Sequence, residues 1–175
     1  KGLSGGHSGD DISKKRANAN KLLARFLYLS MKKYDLRLVD FQAGGLHNAI
    51  PREASCLCAI PSKDKEQIRI DWNIFAADVE EEYSSTEKSM QFLLESQDAA
   101  ATAIDQNTST RLITALQAVD NGIFAMCQDI DMVETSSNLA SIRMNKETKT
   151  IDINSSQRSS IMSARINMVN TFAAV

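Results

Sequence analysis

The sequence has few of the residues on which most active sites depend. Its 175 residues include only two histidines, three cysteines and two prolines, and 6% of them are aromatic. The odd number of cysteines, Cys56, Cys58 and Cys127, argues against a disulfide framework and favours a reducing compartment. A zincin His-Glu-x-x-His, a Cys-x-x-Cys pair and a P-loop are all missing. The sequence therefore contains no complete active site of a common kind.

Charge and hydropathy give no reason to expect a nucleic-acid or membrane partner. The formal net charge is -2, so the chain has no general attraction for anionic polymers or lipids. No apolar run approaches the roughly 18 residues that span a bilayer, and no signal peptide opens the chain. The fractions of hydrophobic (43%) and charged (24%) residues are those of a globular domain. We expect a cytoplasmic protein, and the start at Lys1 suggests part of a larger one.

Hydrophobic periodicity predicts alternating helices and strands. The longest amphipathic stripe lies on the first predicted helix. A second stripe runs from Ile68 to Tyr83, and its helix is expected to start at Pro61-Ser62 with Ser62 as the N-cap. The predicted helices are 15–34, 62–83, 110–120 and 159–174, and the predicted strands are a short stub before residue 10, 35–43, 53–60, 91–95, 132–144 and 148–157.

The order of these elements predicts an α+β fold with mainly antiparallel pairing. A βαββα unit occurs twice, which is typical of two ferredoxin-like (split βαβ) halves, with antiparallel sheets covered by helices. The expected halves are 1–97 and 98–175, and a polar linker is expected at 98–109. We expect the stripes at Leu22–Leu27 and Trp72–Val79 to be buried. The last helix is expected to carry four apolar side chains inward, those of Ile161, Met168, Val169 and Phe172.

A glycine-rich stretch around one histidine is the first candidate for function. Gly5-Gly6-His7-Ser8-Gly9 lies between the strand stub and the first helix, which puts the imidazole at the tip of a loop. Glycines there allow positive φ angles or a close approach of the backbone to a ligand. A glycine-rich turn with one histidine is, however, more often simply a turn.

Other polar residues fall on predicted loops or strand ends, notably Asn48, Arg158 and the segment 134–138. One interpretation is that the asparagines satisfy turn backbones and the arginine forms a surface ion pair. The other is that these side chains converge on a ligand, with the arginine binding a carboxylate and the histidine or asparagine polarising a carbonyl. Spacing alone favours the first.

Cys56 and Cys58 share one face of a predicted strand. The pair could bind a soft metal ion, but no second pair of ligands accompanies it. Buried strand cysteines are therefore the preferred interpretation.

Four motifs together resemble one family, the aminoacyl-histidine dipeptidases (Xaa-His dipeptidase, peptidase D). GLSGGHSGDDI with the following RANANKLLARFL resembles the opening of that family's lid domain. GGLHNAIPREA is similar to its GG-x-x-NAIPREA turn, MVETSSNLASI to its VETS-x-N-L strand, and IDINSSQRSSI to a strand that ends in Arg-Ser. The motifs occur in the family's order over almost the whole chain.

The resemblance implies a two-domain metallopeptidase in which this chain, 1–175, is the lid or dimerisation domain. Two zinc ions and a glutamate base belong to the catalytic domain, and none of their ligands matches a residue here. The resemblance implies that His7 stabilises the oxyanion and that Asn48 and Arg158 hold the dipeptide carboxylate. His47 stands where a basic residue is commoner and receives no role.

Two functions remain open on the sequence. The first is the lid of a zinc-dependent dipeptidase for Xaa-His substrates, whose partners are its own catalytic domain, the dipeptide and a possible homodimer mate. In that case the 175 residues alone are inactive, and His7 acts either in its own subunit or across a dimer. The second is a stand-alone α+β interaction or small-ligand-binding module without catalysis. The two differ in whether His7, Asn48 and Arg158 lie on one face.

Overall fold

A computed structural model describes residues 1–98 and 102–175 of the chain. A short 3-10 turn precedes each of the first two helices, at Ile12–Lys14 and Ser62–Asp64. In chain order the elements are β1 (Gly6–His7), α1 (Ala19–Met31), β2 (Arg37–Gly44), β3 (Ala49–Ile50), β4 (Ala54–Ala59), α2 (Lys65–Glu82), α3 (Gln106–Ala118), β5 (Gly122–Met126), β6 (Val133–Asn145), β7 (Thr150–Ser159) and α4 (Met162–Ala174).

One five-stranded antiparallel sheet is organised around the long strand β6. Strand β7 pairs with β6 along one edge, from Thr135↔Ser159 to Asn145↔Thr150. The other edge of β6 pairs with β5 near one end and with β2 near the other, and β4 pairs with β2. Strands β1 and β3 form a separate two-stranded sheet.

The predicted α+β class, with antiparallel sheets covered by helices, is confirmed. The strands of the two expected halves nevertheless share one sheet instead of forming a sheet each, because β2 and β6 pair through Gln42–Gly44 and Ser141–Arg143. Gly44 makes this junction possible. It has φ +66°, and a Cβ there would lie 2.0 Å from the carbonyl oxygen of Ala140.

The core lies between the sheet and helices α1, α2 and α3. The stripe on α1 is buried as predicted, through Leu22, Phe26 and Leu27, and on α2 Phe75 and Val79 are buried while Trp72 is half-buried. The edge of the Trp72 ring meets Phe26 at a centroid distance of 4.6 Å. The remaining fully buried large side chains come from β2 and the residue before it, from α3 and from β6: Leu36, Leu38, Phe41, Ile113, Leu116, Leu139 and Ile142.

Both predicted helix starts differ from the observed ones. Helix α1 begins at Ala19 and not at residue 15, because Asn18 is its N-cap and accepts hydrogen bonds from the N–H groups of Asn20 and Lys21. The predicted Ser62 cap is wrong, since residues 62–64 form a 3-10 turn and no side chain caps it.

The strand predicted at 91–95 is not formed, although the segment is tied to the N-terminus. The Gln91 N–H donates to the carbonyl of Lys1 over 2.8 Å, and no ladder continues from this pair in the described residues. Its apolar pattern comes from packing on α2, since the Phe92 ring meets Trp72 at 5.9 Å. The linker predicted at 98–109 falls partly on 99–101, outside the described residues, and α3 begins within it at Gln106.

Helix α4 was predicted to carry four side chains inward, and only Met168 is buried. Phe172 is partly buried, whereas Ile161 and Val169 are exposed. Apolar residues occur nearly all round this helix, so periodicity does not show which side faces the sheet. Strand β5 was not predicted.

No helix among residues 1–98 and 102–175 combines the length and the apolarity needed to cross a membrane.

Candidate functional site

The small β1–β3 sheet brings two of the predicted site residues together. His7 is paired with Ala49, and the N–H of Ser8 donates to the carbonyl of Asn48 over 2.8 Å. The histidine loop and the turn that carries Asn48 are thus held side by side, although about 40 residues separate them in the sequence.

Asp11 fixes the turn that follows His7. Its Oδ2 accepts a hydrogen bond from the His7 N–H over 2.8 Å, and its own N–H donates to the His7 carbonyl over 2.9 Å. The Lys14 ammonium lies 2.6 Å from Oδ1. These hydrogen bonds, first from Lys14 and then from the His7 backbone, lower the pKa of Asp11. The carboxylate is therefore charged at neutral pH, and its hydrogen bonds fix the turn that follows His7.

The tautomer of the neutral His7 ring follows from the groups that its Nδ1 atom contacts. Nδ1 accepts from the N–H groups of Asp10 (3.2 Å) and Gly9 (3.4 Å), and it also lies 3.1 Å from an Asp10 carboxylate oxygen. A ring nitrogen that accepts N–H bonds carries no proton and cannot donate to that carboxylate. The amides are fixed by the turn, whereas the Asp10 side chain is 89% exposed and can turn into water. We therefore assign the proton of the neutral ring to Nε2.

Arg158 reaches the same loop from the sheet. It lies on β7 opposite Ser136 of β6. Measured from the place where a Cβ of Gly9 would stand, its Nη1 is 3.1 Å away and the Cε1 of His7 is 3.2 Å away. Guanidinium and imidazole thus both lie against the place where a Cβ of Gly9 would stand, so a side chain there would crowd both of them.

Arg158 is exposed, and no acidic side chain in the described residues forms an ion pair with it. The surface ion pair that spacing favoured for Arg158 is therefore not formed within the described residues. A guanidinium with free donors beside an imidazole N–H can receive an anionic ligand.

Hydrogen bonds from buried asparagine side chains connect the site to the core. The Asn138 side-chain amide donates to the carbonyl of Ala49 over 2.9 Å, which holds β3 against the sheet. The oxygen of Asn138 accepts from Asn18 Nδ2 (3.1 Å), and that amide also donates to Asn121 Oδ1 (2.9 Å) and the Leu139 carbonyl (3.1 Å). Asn138 therefore satisfies a backbone group, as one of the two interpretations of its segment expected.

The predicted site residues thus meet in one region, where β1, the Asn48 turn and the end of β7 come together. His47 is exposed in the same turn. The sequence did not identify Gly9 as the residue against which His7 and Arg158 pack. It also did not identify Asp11 as the group that fixes the loop. An Asp four residues after a histidine in a glycine-rich loop was the available signal for Asp11.

Among residues 1–98 and 102–175, no group of three or more His, Cys, Asp or Glu side chains could hold a metal ion. The donors of these residues therefore do not fit the zinc pair that the family resemblance implies.

Comparisons with known proteins agree with this architecture. A family described as "Peptidase dimerisation domain" matches residues 1–87. The chain is 37% identical over 146 residues to the cytosol non-specific dipeptidase of Escherichia coli (strain K12), which covers 82% of this chain and 30% of that protein. The crystal structure of aminoacylhistidine dipeptidase from Vibrio alginolyticus superimposes with a TM-score of 0.89 and 33% identity, covering 99% of this chain and 35% of the other.

The chain thus spans about a third of the length of each of these relatives. Sequence and fold agree over nearly all of it, and the match includes the histidine loop, the Asn48 turn and α1. The resemblance seen in the four motifs is thus confirmed, and the chain is a peptidase dimerisation domain.

Proposed function

We propose that this domain is the lid of a cytoplasmic, zinc-dependent dipeptidase that hydrolyses Xaa-His dipeptides, and that it supplies contacts to the substrate. The observation that carries the proposal is that His7 and Arg158 lie together beside Gly9, each within 3.2 Å of the place where its Cβ would stand. A donor for a carbonyl oxygen and a cation for a carboxylate are the two groups that a dipeptide substrate requires beside its metal centre. The names of the two relatives support the dipeptidase activity, and one of them is a cytosolic protein.

His7 acts on the oxygen that becomes negative in the transition state. With Nδ1 occupied by the amides of Gly9 and Asp10, the Nε2–H is the free donor of the ring. The hydrogen bonds between Asp11 and the His7 backbone hold the loop in place before substrate binds. A donor positioned in advance stabilises developing charge without reorganising during the reaction.

Arg158 and Asn48 hold the free carboxylate of the dipeptide. The planar guanidinium binds a carboxylate through two parallel hydrogen bonds. The Asn48 side chain forms no hydrogen bond within residues 1–98 and 102–175, so its amide can add a donor. A carboxylate held next to the scissile carbonyl restricts cleavage to the last peptide bond of the substrate, which in a dipeptide is its single bond.

The zinc ions and the general base belong to a separate catalytic domain in this proposal. Bound zinc would polarise the scissile carbonyl and lower the pKa of a bound water. The residues of this chain orient the substrate and stabilise charge at its carbonyl oxygen, and the 175 residues alone hydrolyse nothing.

We also propose that two copies of the domain associate through β7 and α4. In the part of the chain that the structure describes, β7 pairs with β6 on one edge only, and an unpaired edge of ten residues can accept a further strand. Helix α4 lies beside this edge and exposes Met162, Ile166 and Val169. An apolar helix face next to a free strand edge suits a second copy of the same element.

Replacing His7 by alanine in the full-length enzyme should lower kcat by about 10²–10³-fold, because one oxyanion donor is lost. Metal content should not change, since His7 is no ligand. The matched control is His47→Ala, which removes an exposed histidine of the neighbouring turn and should leave kcat unchanged. A near-normal kcat in His7→Ala would show that the loop is merely a turn.

Adding a methyl group at Gly9 should disturb His7 and Arg158 together. The new Cβ would lie 3.1–3.3 Å from both side chains, so one of them must move by a few tenths of an ångström. We expect kcat/KM in Gly9→Ala to fall about 10-fold with the fold retained. In Gly45→Ala the nearest side-chain atom is 3.9 Å away, and that variant should behave as wild type. Equal activities in the two variants would contradict the proposed geometry.

A charge on α4 should separate the dimer. Ile166→Glu replaces an isoleucine that is 53% exposed, and sedimentation should then show monomers at concentrations where the wild type is dimeric. Ile74→Glu on α2, at a site 56% exposed, is the control and should remain dimeric. Monomeric wild-type protein, or dissociation in the control alone, would refute the assignment of this face.

A further inference from the structure

A cavity of about 980 Å³ lies between the edge strand β4 and helix α2. Its walls come from α1, β4, α2 and the segment 90–98, and they are largely apolar. Cys56 and Cys58 both line it from β4. Each of these strand cysteines is half-buried against the core, which agrees in part with the burial predicted for them, and neither forms a disulfide. Two thiols therefore face a space that the proposed dipeptidase chemistry does not use.

The two sulfur atoms are 3.6 Å apart, because alternate residues of a strand point to the same side. A disulfide needs sulfurs about 2.05 Å apart, and residues i and i+2 of a strand, about 6.6 Å apart, are near the upper limit for bridging. Two metal–sulfur bonds of about 2.3 Å that meet in a line at one ion span about 4.6 Å. A shared ion therefore requires the sulfurs to move apart by about 1 Å, which is less than the approach of about 1.5 Å that a disulfide requires.

The donors select the kind of ion. Zinc in proteins takes four ligands, and the described residues offer no cluster of three or more His, Cys, Asp or Glu side chains. Soft thiolate ligands favour Cu(I), and this ion can be coordinated by two of them alone.

We propose that Cys56 and Cys58 form a two-coordinate Cu(I) site in the wall of this cavity. Two neutral thiols and one Cu⁺ ion give a Cu(I) bis-thiolate of charge -1 and release two protons to solvent. The copper arrives and stays as Cu(I), so no electron is transferred and no oxidant is required.

The test is an anaerobic titration of the reduced chain against Cu(I) held by the chelator bathocuproine disulfonate, followed by the absorbance of the chelate. The wild type should withdraw about one Cu(I) per chain. Cys56→Ser and Cys58→Ser, checked for folding by circular dichroism, should withdraw none. The lone half-buried Cys127 is the matched control, and Cys127→Ser should withdraw as much as the wild type.

X-ray absorption of the copper-loaded wild type gives a readout that does not depend on how well the variants fold. Two sulfur neighbours at about 2.2–2.3 Å are expected. A shell of nitrogen or oxygen, or no uptake by the wild type, would overturn the proposal. Uptake by folded Cys56→Ser, or its loss in Cys127→Ser, would do so as well.

Discussion

The buried hydrogen bonds of Asn18 are the constraint on which the site depends. This one side chain caps α1 through its oxygen and, through its nitrogen, reaches Asn121, Asn138 and the backbone of β6. The Asn138 side chain donates a hydrogen bond to Ala49 of β3, and β3 in turn pairs with β1, the strand that carries His7. Because unpaired buried amides are costly, these elements have one low-energy arrangement relative to one another. The loop that carries His7 is therefore positioned by the core, although its tip is open to solvent.

The same arrangement explains what the sequence could predict. The stripe from Leu22 to Leu27 and the strand patterns at 35–43 and 132–144 are local, and each predicted the correct element. The glycines around His7 indicated a special loop, and the resemblance of four motifs to one family identified the domain. The predicted site residues also meet in space, which their sequence positions alone did not establish.

The features that sequence did not predict depend on contacts between distant residues. The union of the strands in one sheet depends on the close approach of Gly44 to Ala140, and the apolar run 91–95 packs on Trp72 instead of joining the sheet. The inward side of α4 was ambiguous because the helix is apolar nearly all round. Gly9 looked like a turn residue, and only the approach of Arg158 from β7 shows that two side chains, those of His7 and Arg158, pack against it.

Amide hydrogen exchange in Asn138→Ala tests most directly whether the asparagine network positions the site. The Ser8 N–H donates to Asn48 across the small sheet, whereas the Leu38 N–H donates to Ser109 in the core. If Asn138 holds β3 in place, Ser8 should lose its protection while Leu38 keeps most of its own. Unchanged protection at Ser8, or an equal loss at both amides, would contradict the account.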